Sequence, residues 1–167
     1  MSDRNPTDFR TGIGYDRHRL SAGTPLILGG VTIPHEKGLT GHSDADVLIH
    51  ALVDALLGAA ALGDIGTHFP DTDPKWKGAK SEQFLKHAAS LLKENGFTIS
   101  FIDCIILAEK PKLSPYFPSI RKNLSAILNL PLDRISVKAK TEEGLDSIGQ
   151  ELAMAVFASA TLVRHPG

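Results

Sequence analysis

Asp16 and His18 stand two residues apart in the stretch GYDRHR, and another imidazole, His50, follows further along the chain. In an extended segment, residues i and i+2 point to the same face, so Asp16 and His18 can act together. Two imidazoles and one carboxylate suit zinc and leave a fourth coordination position open, as catalytic rather than structural sites do. Asp16, His18 and His50 are therefore candidate ligands of one metal, provided the two segments that carry them meet. A surface Asp beside a surface His, with no metal, is the competing reading of the 16–18 pair. His42, Ser43, Asp44 and Asp46 crowd in before His50, and Asp64, His68, Asp71 and Asp73 come after it, with Gly66 and Pro70. Two polar clusters flanking an apolar run mark a site more than a solubilising surface.

The run between them reads as a helix. Val47, Leu48, Ala51, Leu52, Ala55, Leu56 and Ala59 recur at helical spacing. Ser43 or Asp44 is the expected N-cap, and Gly63 the expected C-terminal stop. Asp46, His50 and Asp54 fall at i, i+4 and i+8 and so share one helix face. One of the two aspartates is expected to accept the second ring N–H of His50 and fix its tautomer; a solvated face is the alternative.

Residues 11–19 read as a strand, and 26–33 as a hairpin about Gly29-Gly30. Residues 35–41 read as a loop. Residues 75–80 form an exposed turn, and Ser81 is placed to cap a second helix over 82–95. The apolar run 97–108 reads as a strand buried on both sides, with Cys104 as a small core residue. Pro111 and Pro115 interrupt regular structure in 109–115, where Lys110 and Lys112 could meet a phosphate or simply be solvated. A third helix is expected over 116–129 and a strand over 135–139. Lys140, Thr141, Glu142 and Glu143 follow, as phosphate and metal contacts or as a turn. Alternation of Val156, Ala158, Ala160 and Leu162 favours a final strand within 151–164.

These elements define the α/β class in its two-layer α+β form: a mixed sheet with helices on one face. The strands carry few polar residues on the other face, so something must cover it, and self-association is the economical answer. The 167 residues suit one domain with a real core. A flexible leader over 1–10 and a single domain over 11–167 are expected. The net charge of -1 leaves no basic excess for general nucleic-acid binding. The single cysteine excludes an internal disulfide, no apolar run is long enough to span a membrane, and the expected location is the cytoplasm.

Several stretches then align together. GYDRHR (14–19), the whole of 41–74 from GHSDAD to PDTDP, AEKPKL (108–113) and KAKTEEGL (138–145) resemble the 2-C-methyl-D-erythritol 2,4-cyclodiphosphate synthases of the non-mevalonate route to isoprenoids. The 41–74 block is the most specific of them. The resemblance implies conversion of CDP-methylerythritol 2-phosphate to the cyclic diphosphate with release of CMP. It implies zinc on Asp16, His18 and His50, and magnesium or manganese on Glu143. It also implies His42 and Thr141 as transition-state stabilisers, and His42 and Ser43 as phosphate holders. Asp64, Gly66, Phe69, Asp71 and Asp73 would seat the methylerythritol. Ala108, Pro111, Lys112 and Leu113 would form the cytidine pocket, with Lys140 beside Thr141. A homotrimer with active sites between subunits is implied as well, which would bury the open sheet face.

The match decays after Leu145. Family members commonly carry Gly-Phe-x-Gly-Arg-Gly-Glu-Gly there; this chain has Asp146-Ser147-Ile148-Gly149-Gln150-Glu151-Leu152. The aromatic becomes Ser147, and the arginine, a bidentate phosphate donor, has only Gln150 near its place. Two other readings compete: a zinc-dependent phosphohydrolase, and a non-catalytic trimeric nucleotide-binding module.

Overall fold

The structure, a computed structural model, describes residues 8–164. Its first strand, β1 (Asp8–Ala22), sets the two faces of the sheet. Gly12, Gly14, Asp16 and His18 face inward, and Phe9, Ile13, Tyr15 and Arg17 face outward. The inward glycines have a steric cause. A Cβ on Gly14 would lie 1.9 Å from the Ala51 carbonyl oxygen, and one on Gly12 2.1 Å from that of Ala55. The first helix, α1 (Val47–Ala59), therefore lies with its backbone directly on β1. Its alanines 51, 55 and 59 permit the approach.

α1 is apolar on nearly every side, and only His50, Asp54 and Gly58 along it escape full burial. A helix of that pattern belongs in the middle of a core. It packs on β1 and on β7 (Ala153–Arg164) beneath, and on the helix α3 (Glu82–Glu94) beside it. Its N-cap is Asp46, whose side chain accepts from Ile49 N. This corrects the expected cap at Ser43 or Asp44, whose side chains are engaged elsewhere. Ala60 closes the helix, with Gly63 (φ +88°) just beyond.

The main sheet has the order β4 (Lys37–Thr40), β1, β7, β5 (Phe97–Leu107), β6 (Ile135–Lys140). β4 (Lys37–Thr40) pairs with the end of β1, where a loop was expected. It is a short edge strand and lacks the length and alternation that signal one. β5 (Phe97–Leu107) and β6 (Ile135–Lys140) run parallel, joined through α4 (Phe117–Leu128). β7 (Ala153–Arg164) lies antiparallel between β1 and β5. The hairpin β2 (Leu26–Leu28) and β3 (Val31–Ile33) stands apart as its own small sheet, turning at Gly29 and Gly30, both at positive φ. α2 (Ile65–His68) and α3 (Glu82–Glu94) complete the inner layer, and α5 (Asp146–Gly149) packs against the lower end of β7.

Two expectations need correction. β1 starts at Asp8, so residues 8–10 of the supposed leader are strand; residues 1–7 lie outside the described part. β5 is buried on one face only: Ile102, Cys104 and Ile106 are inside while Phe101 is 40% exposed. The outward face is apolar over a wide area. Phe9, Ile13, Tyr15 and Phe157 are all at least 48% exposed, and the Tyr15 and Phe157 rings meet at 4.7 Å. Among the described residues, no helix is long and apolar enough to cross a membrane.

Candidate active site

The seating of α1 on β1 brings His50 over Asp16 and His18. His18 Nε2 lies 2.8 Å from Asp16 Oδ2. His50 Nδ1 lies 3.1 Å from the same oxygen and 3.1 Å from His18 Nε2. One donor atom from each residue falls within a 4.8 Å cluster. Two ring nitrogens turned toward one carboxylate oxygen, and toward each other, form a donor set that fits a metal ion.

Each ring is held from behind. His18 Nδ1–H donates to the Thr40 carbonyl at 3.1 Å, which leaves Nε2 to the cluster; β4, the unexpected strand, supplies that oxygen. His50 Nε2 lies 2.9 Å from Ser81 Oγ and 3.0 Å from Ser43 Oγ. The expected roles of Asp46 and Asp54 are thereby corrected. Asp46 is fully buried and accepts from the amides of Gly29, Gly30 and Ile49, so it ties the hairpin turn to the start of α1. Burial pushes its carboxyl up to about 6 against the pull of those amides. Asp54 accepts from Ile65 N at 2.8 Å and anchors α2. The i, i+4 spacing was real, but the backbone amides around each aspartate outcompete the His50 ring.

Electrostatics couple the three side chains. Burial alone would raise the Asp16 carboxyl, but hydrogen bonds and charge from His18 and His50 outweigh it and hold it far below the usual range. Burial alone would lower His18, but the Asp16 carboxylate overrides it and raises the imidazole above 6.5.

The cluster opens on a cavity of about 560 Å³ lined by His18, His42, Ser43, His50, Gly66, Phe69 and Asp71. Ile65, Pro70, Thr72, Trp76 and Phe84 complete its wall. The last two give no local signal beyond being aromatic; Phe84 looks like core from its helical spacing. Asp64 and Asp73 act as caps, for Thr67 N and Lys75 N respectively, and do not line the cavity. A second cavity, of about 400 Å³, lies at the ends of β5 and β6. Ala108, Pro111, Lys112, Leu113, Lys140 and Thr141 line it, with Glu109, Lys110, Ser114, Phe117 and Ala139. Thr141 Oγ1 donates to Glu143 Oε1 at 2.9 Å. The two cavities share no residue, so within one chain residues 108–113, Lys140 and Thr141 line a different pocket from the triad's.

An α+β domain with a two-histidine, one-carboxylate cluster at the mouth of a cavity is the class of a metal-dependent enzyme. The chain belongs to the YgbB family, whose model matches residues 9–163. The 2-C-methyl-D-erythritol 2,4-cyclodiphosphate synthases of Burkholderia mallei and Burkholderia pseudomallei are each 56% identical over 158 residues, covering 95% of this chain and 98% of theirs. Among solved structures, the bifunctional IspDF from Campylobacter jejuni matches with a TM-score of 0.92 and 44% identity. That match covers 95% of this chain and 43% of the bifunctional one. A CDP complex of IspF from Plasmodium falciparum matches with a TM-score of 0.84 and 37% identity, covering 95% and 97%.

Proposed function

We propose that this chain, a single catalytic domain, converts CDP-methylerythritol 2-phosphate to methylerythritol 2,4-cyclodiphosphate and CMP in isoprenoid precursor biosynthesis. The observation that carries this reading is the convergence of Asp16, His18 and His50 beside His42 and Ser43 at one cavity. An oxygen of the 2-phosphate attacks the β-phosphorus, the bond from that phosphorus to the CMP oxygen breaks, and CMP leaves. The nucleophile belongs to the substrate, so the protein's task is positioning and charge stabilisation. Zinc suits the triad and would supply Lewis-acid polarisation of diphosphate oxygens.

The chain's own residues do the remainder. His42 and Ser43 donate to phosphate oxygens at the cavity mouth. Gly66, Phe69 and Asp71 seat the methylerythritol, with Asp64 and Asp73 shaping the loop that carries them. Ala108, Pro111, Lys112 and Leu113 hold the cytidine, next to Lys140. Thr141 stabilises the transition state, and Glu143 holds magnesium or manganese between the phosphates.

One substrate must then reach two cavities. The apolar outward face supports the answer: three copies associate through it, so that the triad cavity of one faces the 108–113 cavity of its neighbour. A cytoplasmic location agrees with this chemistry. Phosphorus NMR of the substrate with protein, zinc and magnesium tests the reading. Coupled signals of a cyclic diphosphate, appearing with CMP, are expected; inorganic phosphate would assign a hydrolase instead, and an unchanged spectrum a binding module.

A further inference from the structure

We propose that Ser81 and Asp44 form a hydrogen-bonded relay that fixes the His50 ring in its metal-binding tautomer. The inference rests on the reading of Asp16, His18 and His50 as a metal site. Ser81 precedes α3, where a serine ordinarily caps, yet its side chain makes no capping bond. It is instead fully buried, with its hydroxyl 2.9 Å from His50 Nε2.

The direction of the bonds follows from chemistry. A carboxylate only accepts, and a hydroxyl has one proton to give. Asp44 takes that proton, since Ser81 Oγ donates to Asp44 Oδ1. Asp44 Oδ2 also accepts from Ser81 N at 3.0 Å, which locks the pair in register. Asp44 N in turn donates to the Ala79 carbonyl at 3.0 Å. With its proton committed, Ser81 can offer His50 only a lone pair. A neutral His50 ring then carries its hydrogen on Nε2, toward Ser81, which frees the Nδ1 lone pair for an ion held with Asp16 and His18. Ser43 Oγ lies 3.0 Å from the same Nε2 and accepts from Ala45 N at 3.2 Å. Ser81 and Asp44 are positioning residues, and neither lines that cavity.

The test is zinc affinity, measured by competition with a chromophoric chelator and with zinc alone as the probe. Circular dichroism of the metal-free proteins serves as the fold control. Ser81→Ala and Asp44→Asn, folded as the parent, are expected to bind zinc roughly 10- to 100-fold more weakly. Binding within twofold of the parent by both variants would overturn the relay. Should Ser81→Ala fail to fold, nitrogen-15 histidine NMR of the zinc-loaded parent decides: a proton on His50 Nε2 supports the relay, and a bare Nε2 overturns it. A folded parent that takes up no zinc would instead overturn the metal-site reading itself, a separate result.

Discussion

The carbonyl oxygen of Ala51 fills the space in which a side chain on Gly14 would begin, 1.9 Å from the ideal Cβ position. Ala51 follows His50 in the helix and Gly14 is two residues before Asp16, so this contact sets the height of one metal ligand above another. The clash is with backbone, which cannot swing aside. Gly14→Ala is therefore expected to destabilise the fold by about 1–3 kcal/mol, the usual range for overpacking. It should also weaken zinc binding at least tenfold, because α1 must rise off β1. Urea unfolding and chelator competition on the same variant check both. Zinc affinity equal to the parent's would show that the glycine contact does not place His50.

Asp46 and Asp54 look alike in sequence and are expected to behave differently. Asp46→Ala would leave the buried amides of Gly29 and Ile49, and the half-buried amide of Gly30, without their acceptor. At roughly 1–3 kcal/mol for each orphaned donor, the loss should be at least about 3 kcal/mol in urea. Asp54→Asn keeps an acceptor for Ile65 N and should bind zinc within twofold of the parent. A tenfold loss in that variant would return Asp54 to the metal site.

The triad should give the metal-free protein a stability optimum in mildly acidic solution. Asp16 is held below its ordinary 3.8, so its contribution is complete above that pH and disappears as pH falls toward the depressed value. His18 is raised above 6.5, so its contribution is complete below that pH and disappears as pH rises through the raised value. Thermal melts of the metal-free protein should peak between these limits. Zinc must displace the His18 proton, so zinc affinity should climb with pH from 6 to 8. An affinity flat across that range would mean His18 is not a ligand.

The proposed trimer is expected to assemble through the outward face. Phe157 packs at a tilt against Tyr15 and is half exposed. Phe157→Glu should give monomers by sedimentation, keep zinc affinity, and lose turnover. A trimer that persists would place the interface elsewhere.

Thr141→Ala should leave zinc binding intact and lower kcat by roughly 10²–10³, the usual scale for one transition-state donor. Steady-state CMP release measures it. An unchanged kcat would remove Thr141 from the reacting centre.

The sequence disclosed the triad because its residue types carry meaning at short range: an i, i+2 pair on a strand and a histidine on an apolar helix. Most elements were legible for the same reason, from α1 to the closing strand β7. The misread parts depended on tertiary partners. β4 exists because β1 is long enough to offer it an edge. Asp46 turned from His50 to the hairpin because three amides converge there, a fact of folding and not of spacing. A serine before a helix usually caps it, which disguises Ser81; the partners of its hydroxyl, Asp44 and His50, lie 37 and 31 positions away. The outward face was foreseen as needing cover, and β5, half open in a single chain, shows why.

The inward glycines of β1 have a last consequence. Asp16 and His50 are 34 positions apart and share no local structure. Only a chain whose strand has received its helix at full depth can present both to one ion. Metal content per chain thus becomes a gauge of folding quality: a preparation with half its molecules misdocked should hold half its metal, whatever its protein concentration.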